Sequence, residues 1–157
     1  EAMIMDSQLL ICEGMSIAAA AGAHVHGTNI VRINNVKDHK GVTMKDRPNV
    51  SGRLHWNVVV EDEDMKAGVD GSIVTFYLYN GATGTNPLID NAGVPILSKA
   101  VTENTTSAHP DGTLILSIPL PVEQLEEYFD IYVTVGTQNL DNGKITSWIG
   151  GPVQQGT

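Results

Sequence analysis

Two histidines one residue apart, His24 and His26 on either side of Val25, are the pair in this sequence best spaced to hold a metal. Residues i and i+2 on a strand project from the same face, so two imidazoles there could act as neighbouring ligands. A β-barrel metal site of that kind also needs a glutamate a few residues later, where Asn29, Ile30 and Val31 stand. It needs a third histidine soon after a proline-glycine turn. Pro110-Asp111-Gly112 leads instead into Thr113, Leu114 and Ile115. The pair therefore reads as solvated loop histidines, and no metal or other cofactor is expected. Four successive carboxylates, Glu61-Asp62-Glu63-Asp64, with Asp70 beyond them, form the densest acidic cluster. Calcium would want such oxygens. Lys66 stands where a further acidic ligand belongs and no closing glutamate follows at the right spacing, so the run reads as a solvated turn after a strand.

Nucleophilic and phosphate chemistry fare no better. Gly81-Ala82-Thr83-Gly84-Thr85 is glycine-rich but lacks the Gly-Lys-Ser/Thr ending of a phosphate loop. No Gly-x-Ser-x-Gly elbow occurs, and Cys12 has no histidine near it in sequence. As the sole cysteine, Cys12 rules out an intramolecular disulfide and reads as a small buried hydrophobe. Asn104-Thr105-Thr106 is a glycosylation acceptor that matters only in a secretory pathway. No catalytic residue is nominated, and the expectation is a protein that is not an enzyme.

The bulk numbers narrow the partners. A chain of 157 residues can bury roughly 70% of its unfolded surface, enough for one domain with its own core. Eighteen acids against nine bases give a net charge of −9, a field that disfavours binding to nucleic acid. No run approaches the roughly 20 apolar residues of a membrane helix. Leu9-Leu10-Ile11-Cys12 is apolar, but no Lys or Arg precedes Arg32, so a basic signal region is missing and synthesis and use in the cytoplasm are expected.

The elements that would position side chains are short strands. Arg53 to Glu61 alternates, with Leu54, Trp56, Val58 and Val60 on one side. Ser72 to Tyr79 is apolar on both faces, and Thr113 to Leu120, Asp130 to Gly136 and Lys144 to Gly150 follow. Gln8 to Cys12, Thr28 to Ile33 and Ile96 to Thr102 are weaker strands. Asn80-Gly81, Asp111-Gly112 and Asn142-Gly143 read as turns, the last as a hairpin between two β-rich runs. Pro121 to Tyr128 is the one helical stretch, at most about two turns, with Val122, Leu125 and Phe129 on one side. The aromatics cluster at Trp56, Phe76 to Tyr79, Tyr128 to Tyr132 and Trp148, on or beside strands, and are expected to fill the core. About eight strands in one domain, 1–157, with a short N-terminal arm over 1–11, predict an all-β sandwich, a jelly roll by preference. The polar stretches Ile33 to Gly52 and Gly81 to Val94 are its long loops.

Three stretches in this order resemble the capsid cement proteins of tailed phages of the Bordetella phage type. They are Met3-Ile4-Met5-Asp6-Ser7-Gln8-Leu9-Leu10, then Asp111-Gly112-Thr113 through Ile118-Pro119-Leu120-Pro121 and on through Leu125 and Tyr128 to Asp130-Ile131-Tyr132-Val133-Thr134-Val135-Gly136, and finally Gly143-Lys144-Ile145-Thr146-Ser147-Trp148-Ile149. They cover roughly a third of the chain; the segment from His24 to Gly71 departs from the family. The resemblance implies a jelly-roll decoration protein on the outside of an icosahedral head, bridging subunits of the major capsid protein. It implies self-association too, a homodimer by preference and a trimer otherwise. Met3, Ile4, Met5, Asp6, Gln8, Leu9 and Leu10 are then expected to touch the capsid or a second copy. The alternative is a carbohydrate-binding sandwich, which should display exposed aromatic rings near a loop pocket, and behind it a cupin-like metalloenzyme centred on His24 and His26.

Overall fold

The computed structural model describes residues 9–33, 54–121 and 125–151. Its strands are β1 (Leu10–Ser16), β2 (His24–His26), β3 (Val31–Arg32), β4 (His55–Val60), β5 (Lys66–Ala67), β6 (Ser72–Gly81), β7 (Val94–Glu103), β8 (Leu114–Pro119), β9 (Tyr128–Gly136), β10 (Leu140–Asn142) and β11 (Lys144–Gly150). They build an all-β sandwich of antiparallel sheets. One sheet runs β1-β11-β4-β8, the other β2-β9-β6-β7 with β3 also on β9, and β10 pairs with β5 as a small ribbon.

Alternation decides what each strand buries. Leu54, Trp56, Val58 and Val60 are all buried, as the period of two requires, and they share one core with Val74, Phe76 and Leu78 of β6 and Phe129, Ile131, Val133 and Val135 of β9. Asn57 lies on the other side of β4 and is nonetheless fully buried. Its Oδ1 accepts from Ser117 Oγ at 2.6 Å and its Nδ2 donates to the Gly151 carbonyl at 3.1 Å, which satisfies the amide out of water. On one flank of the sandwich, Lys99 Nζ on β7 donates to the Ile115 carbonyl on β8 at 2.9 Å, tying together the edge strands of opposite sheets. A charge placed there also discourages pairing of either edge with a foreign strand.

Four local expectations are corrected. Asn142-Gly143 is not a hairpin between its flanking β-rich runs: β9 and β11 lie in different sheets, and Gly143, at φ 155°, turns the chain from β10 into β11. Asn80-Gly81 is no turn either, for both residues continue β6. Asn80 is buried, and its Nδ2 donates to the carbonyls of Glu126 and Tyr128 while its Oδ1 accepts from Glu126 N–H. The helix expected over Pro121 to Tyr128 has its centre, 122–124, outside the described residues; Leu125 to Glu127 are not helical and Tyr128 already opens β9. A 3₁₀ turn, Leu88–Asp90, sits in the Gly81 to Val94 loop. The other long loop, Ile33 to Gly52, lies outside the described residues except for Ile33. The fourth correction concerns His24 and His26, which form a strand rather than a loop.

Candidate functional site

The outward face of the β2-β9-β6-β7 sheet carries the most distinctive cluster of side chains. Pairing of Val74, Phe76 and Leu78 into the core forces Ile73, Thr75, Tyr77 and Tyr79 to the other side. The register then lines up His26, Tyr132, Tyr77 and Ser98 across the sheet, with His24, Thr134, Thr75 and Ala100 in the next row. The ring of Tyr132 lies 5.0 Å from His24, 5.6 Å from Tyr79 and 6.3 Å from Tyr77, centroid to centroid. Tyr77 and Tyr79 are 6.4 Å apart and nearly edge-on. Tilted and edge-to-face contacts at these distances are the favoured aromatic geometries. Burial, with the neighbouring phenol as a lesser cause, raises the pKa of Tyr79; burial and then Asp90 raise that of Tyr132. The three tyrosines are half-buried and His24 is exposed. Tyr77 also lines a shallow, open hollow with Pro95, Ile96, Leu97 and Ser98 of β7.

This corrects the expectation that the aromatics fill the core. Trp56, Phe76 and Phe129 do so, but Tyr77, Tyr79 and Tyr132 do not. Their spacing held the signal: tyrosines two apart in Ser72 to Tyr79 alternate with Val74, Phe76 and Leu78, and the phenol-bearing residue of each pair takes the wet side.

At one end of this face the Gly81 to Val94 loop folds down over Asp130. Leu88 is fully buried there, and Gly93 N–H donates to the Leu88 carbonyl at 2.8 Å. Asp130 is buried, and its Oδ1, pressed against Gly27, has no hydrogen-bond partner. Burial pushes its pKa up to about 6, against the opposing pull of the Leu88 backbone and of His26.

His24 and His26 do share a face, both exposed, as two ligands would. The His24 ring rests on Tyr132, and His26 Nδ1 is within 3.0 Å of the Gly27 carbonyl. Among the described residues no group of three His, Cys, Asp or Glu is placed to hold a metal ion. The acidic run instead caps backbone. Asp64 Oδ1 accepts from Asp111 N–H at 2.6 Å, Asp111 Oδ1 from Asp62 N–H at 2.9 Å, and Glu63 Oε1 from Gly143 N–H at 2.9 Å. Asp70 accepts from both the N–H and the hydroxyl of Thr105, which lowers its pKa. A separate pair, Glu103 and His109, joins the end of β7 to the loop before β8, with Glu103 fully buried.

Of the arm residues expected to make contacts, Met3, Ile4, Met5, Asp6 and Gln8 lie outside the described residues. Leu9 is buried in the core, and Leu10 opens β1 opposite Trp148. No family model and no curated protein matches the sequence.

Proposed function

We propose that the chain is a non-enzymatic capsid cement protein that binds the outer surface of an icosahedral phage head and bridges its major capsid subunits. One observation carries the reading, the nesting of the strand pairs. β1 pairs with β11, β2 with β9, β4 with β8 and β6 with β7, as in one long hairpin wound into two sheets, and the cross-pairs β11–β4 and β9–β6 close each sheet. That winding supports a jelly roll, an architecture at home in viral shells. Of the three stretches that resemble cement proteins, the two later ones fall on β8, β9 and β11, three of its paired strands, and the first, Met3 to Leu10, lies outside the described residues except for Leu9 and Leu10. Multivalency supplies the physics: an oligomer gripping several subunits gains avidity, and opening the shell must break those grips together. In this reading the protein is made in the host cytoplasm and works on the outer capsid surface. The test is co-sedimentation of purified protein with empty mature capsids of its phage. Saturation at a fixed ratio to capsid subunits, with shells that survive greater heat, is the expected result. Well-formed shells that take up none would end the proposal.

A second reading, a carbohydrate-binding sandwich, is favoured by one feature. Tyr77, Tyr79, Tyr132 and His24 stand on an outward face beside the hollow lined by Pro95 to Ser98. Specific retention on a glycan array, lost in Tyr132→Ala, would move the assignment there.

A further inference from the structure

We propose that the tyrosine cluster on the outward face of the β2-β9-β6-β7 sheet binds a small organic cation, a quaternary ammonium of the choline type. The inference goes beyond the capsid reading and does not depend on it. Geometry is its first ground. The ring centroids of Tyr77, Tyr79 and Tyr132 form a nearly equilateral triangle with sides of 5.6, 6.3 and 6.4 Å. A nitrogen about 3 Å above the middle of that triangle lies roughly 4.6 Å from all three centroids, inside the ~6 Å reach of a cation–π contact. The rings are inclined to one another by 45°, 68° and 70°, so they make an uneven cup rather than a flat platform. A tetrahedral ammonium head meets tilted rings from several sides at once, which the flat face of a sugar does not. Tyr77 also borders the hollow lined by Pro95 to Ser98, whose volume is about 220 Å³. Pockets for drug-sized ligands begin near ~300 Å³, so this one suits the short hydroxyethyl tail of a small cation.

Charge is the second ground. The rows of this face that cross β6 from Ile73 to Tyr79 contain no lysine or arginine. Two carboxylates stand near the cluster, both at the end where the Gly81 to Val94 loop folds down. Asp90, on that loop, is exposed and close enough to Tyr132 for its charge to disfavour the phenolate. Asp130, beneath the loop, is the cross-strand partner of Tyr79, and its Oδ1 has no hydrogen-bond partner. The three tyrosines stay half-buried, so the loop borders the cup on its negative side without closing it. With a net charge of −9 on the chain, the field draws cations to this face and repels anions. The molecule already makes one such contact with its own side chains: the Arg32 guanidinium lies 5.7 Å from the centre of the Tyr128 ring.

The experiment is an NMR titration of the full chain with choline chloride from about 0.1 to 50 mM at constant ionic strength, reading the tyrosine ring protons. Saturable shifts of Tyr77, Tyr79 and Tyr132 are expected, with a dissociation constant on the order of 1 mM. The neutral analogue with a tert-butyl head in place of trimethylammonium (3,3-dimethylbutan-1-ol) is expected to bind at least about fivefold more weakly. Tyr79→Leu and Tyr132→Leu should each weaken choline by about three- to tenfold, whereas Tyr132→Phe, which keeps the ring, should change it less than about twofold. If a leucine variant loses its cooperative melt, Thr75→Lys takes its place, since a positive charge in the neighbouring row should weaken choline as much. Tyrosine rings that choline does not move, or an analogue that binds as tightly as choline, overturn the proposal. Retention on glycans without choline binding overturns it too and gives the face to the carbohydrate reading. Shell binding is scored separately by co-sedimentation, so the capsid reading and this one fail independently.

Discussion

The indole N–H of Trp56 donates to Ser147 Oγ at 3.0 Å, joining β4 to β11 across a hydrogen bond whose two residues are both completely buried. It lets the largest side chain of the core enter without an orphaned donor. Ser147→Ala keeps the packing and removes the acceptor. Leaving a buried donor unpaired costs about 1–3 kcal/mol, so the urea midpoint should fall accordingly with an unchanged slope. Trp56→Phe, which removes the N–H together with some volume, should lose less when combined with Ser147→Ala than the two changes sum to alone. Additive losses would show that the bond contributes nothing.

Asp130 makes stability depend on pH in an unusual direction. Its folded pKa, about 6, lies above the ordinary 3.8 because burial disfavours the carboxylate. Between those values the unfolded chain releases the proton while the folded chain keeps it, so stability is present below the ordinary value and falls as pH rises towards 6. The shift of about two units corresponds to roughly 3 kcal/mol, lost over that window and absent from then on. Asp130→Asn should flatten this dependence and gain stability at neutral pH. Urea unfolding of both proteins from pH 4 to 8 measures it, and parallel curves would show that Asp130 is not the group responsible.

Gly93 closes the loop that covers Asp130. A Cβ there would lie 2.6 Å from the Leu88 carbonyl oxygen and 2.8 Å from its Cβ, contacts that backbone cannot relieve cheaply. Gly93→Ala should therefore destabilise by about 1–3 kcal/mol, the usual cost of overpacking. Gly112→Ala is a useful contrast: nothing lies within 4 Å of its Cβ position, and only its φ of 92° resists. Hydrogen exchange should show Gly93→Ala loosening the Leu88–Asp90 turn, whereas a protected turn would mean the clash is absorbed elsewhere.

Much of this fold was legible in the residues, and the exceptions share a cause. Lys144 to Gly150 was found to the residue, and Arg53 to Glu61 buried the side its alternation named, because period-two patterning reports directly on a half-buried strand. β2, β5 and β10, two or three residues each, are too short to show a period. Asn80-Gly81 and Asn142-Gly143 have the same local chemistry, yet one continues a strand and the other carries the chain between sheets. What separates them is tertiary: Asn80 is held by Glu126 and Tyr128, 46 and 48 residues away. The aromatic face was missed for a similar reason. Tyr77 and Tyr132 become neighbours only through the pairing of β6 with β9, which no local window contains.

That clamp is itself testable. Asn80 makes three hydrogen bonds to the backbone leading into β9, and Asn80→Leu leaves two carbonyls and one N–H of that segment without their partner. A loss of about 2–4 kcal/mol is expected if these groups stay dry, and much less if water replaces the amide. Thermal melts of Asn80→Leu against Asn80→Ala separate the cases, since the alanine leaves room for water to take the place of the amide and the leucine fills it.

Cys12 offers a readout of how the sheets open. It is fully buried on β1, and burial pushes its thiol up to about 12, so at neutral pH almost no thiolate exists in the folded chain. A maleimide or disulfide reagent should leave the native protein unlabelled and modify it at once in denaturing urea. At intermediate urea the labelling rate then reports the opening that exposes β1. Because, among the described residues, β1 pairs only with β11 at the edge of its sheet, two regimes are distinguishable. If labelling tracks global unfolding measured by Trp56 and Trp148 fluorescence, the edge strand opens only with the whole domain. If it runs well ahead of fluorescence, β1 peels away by itself, and stability measured through Cys12 would describe that strand alone.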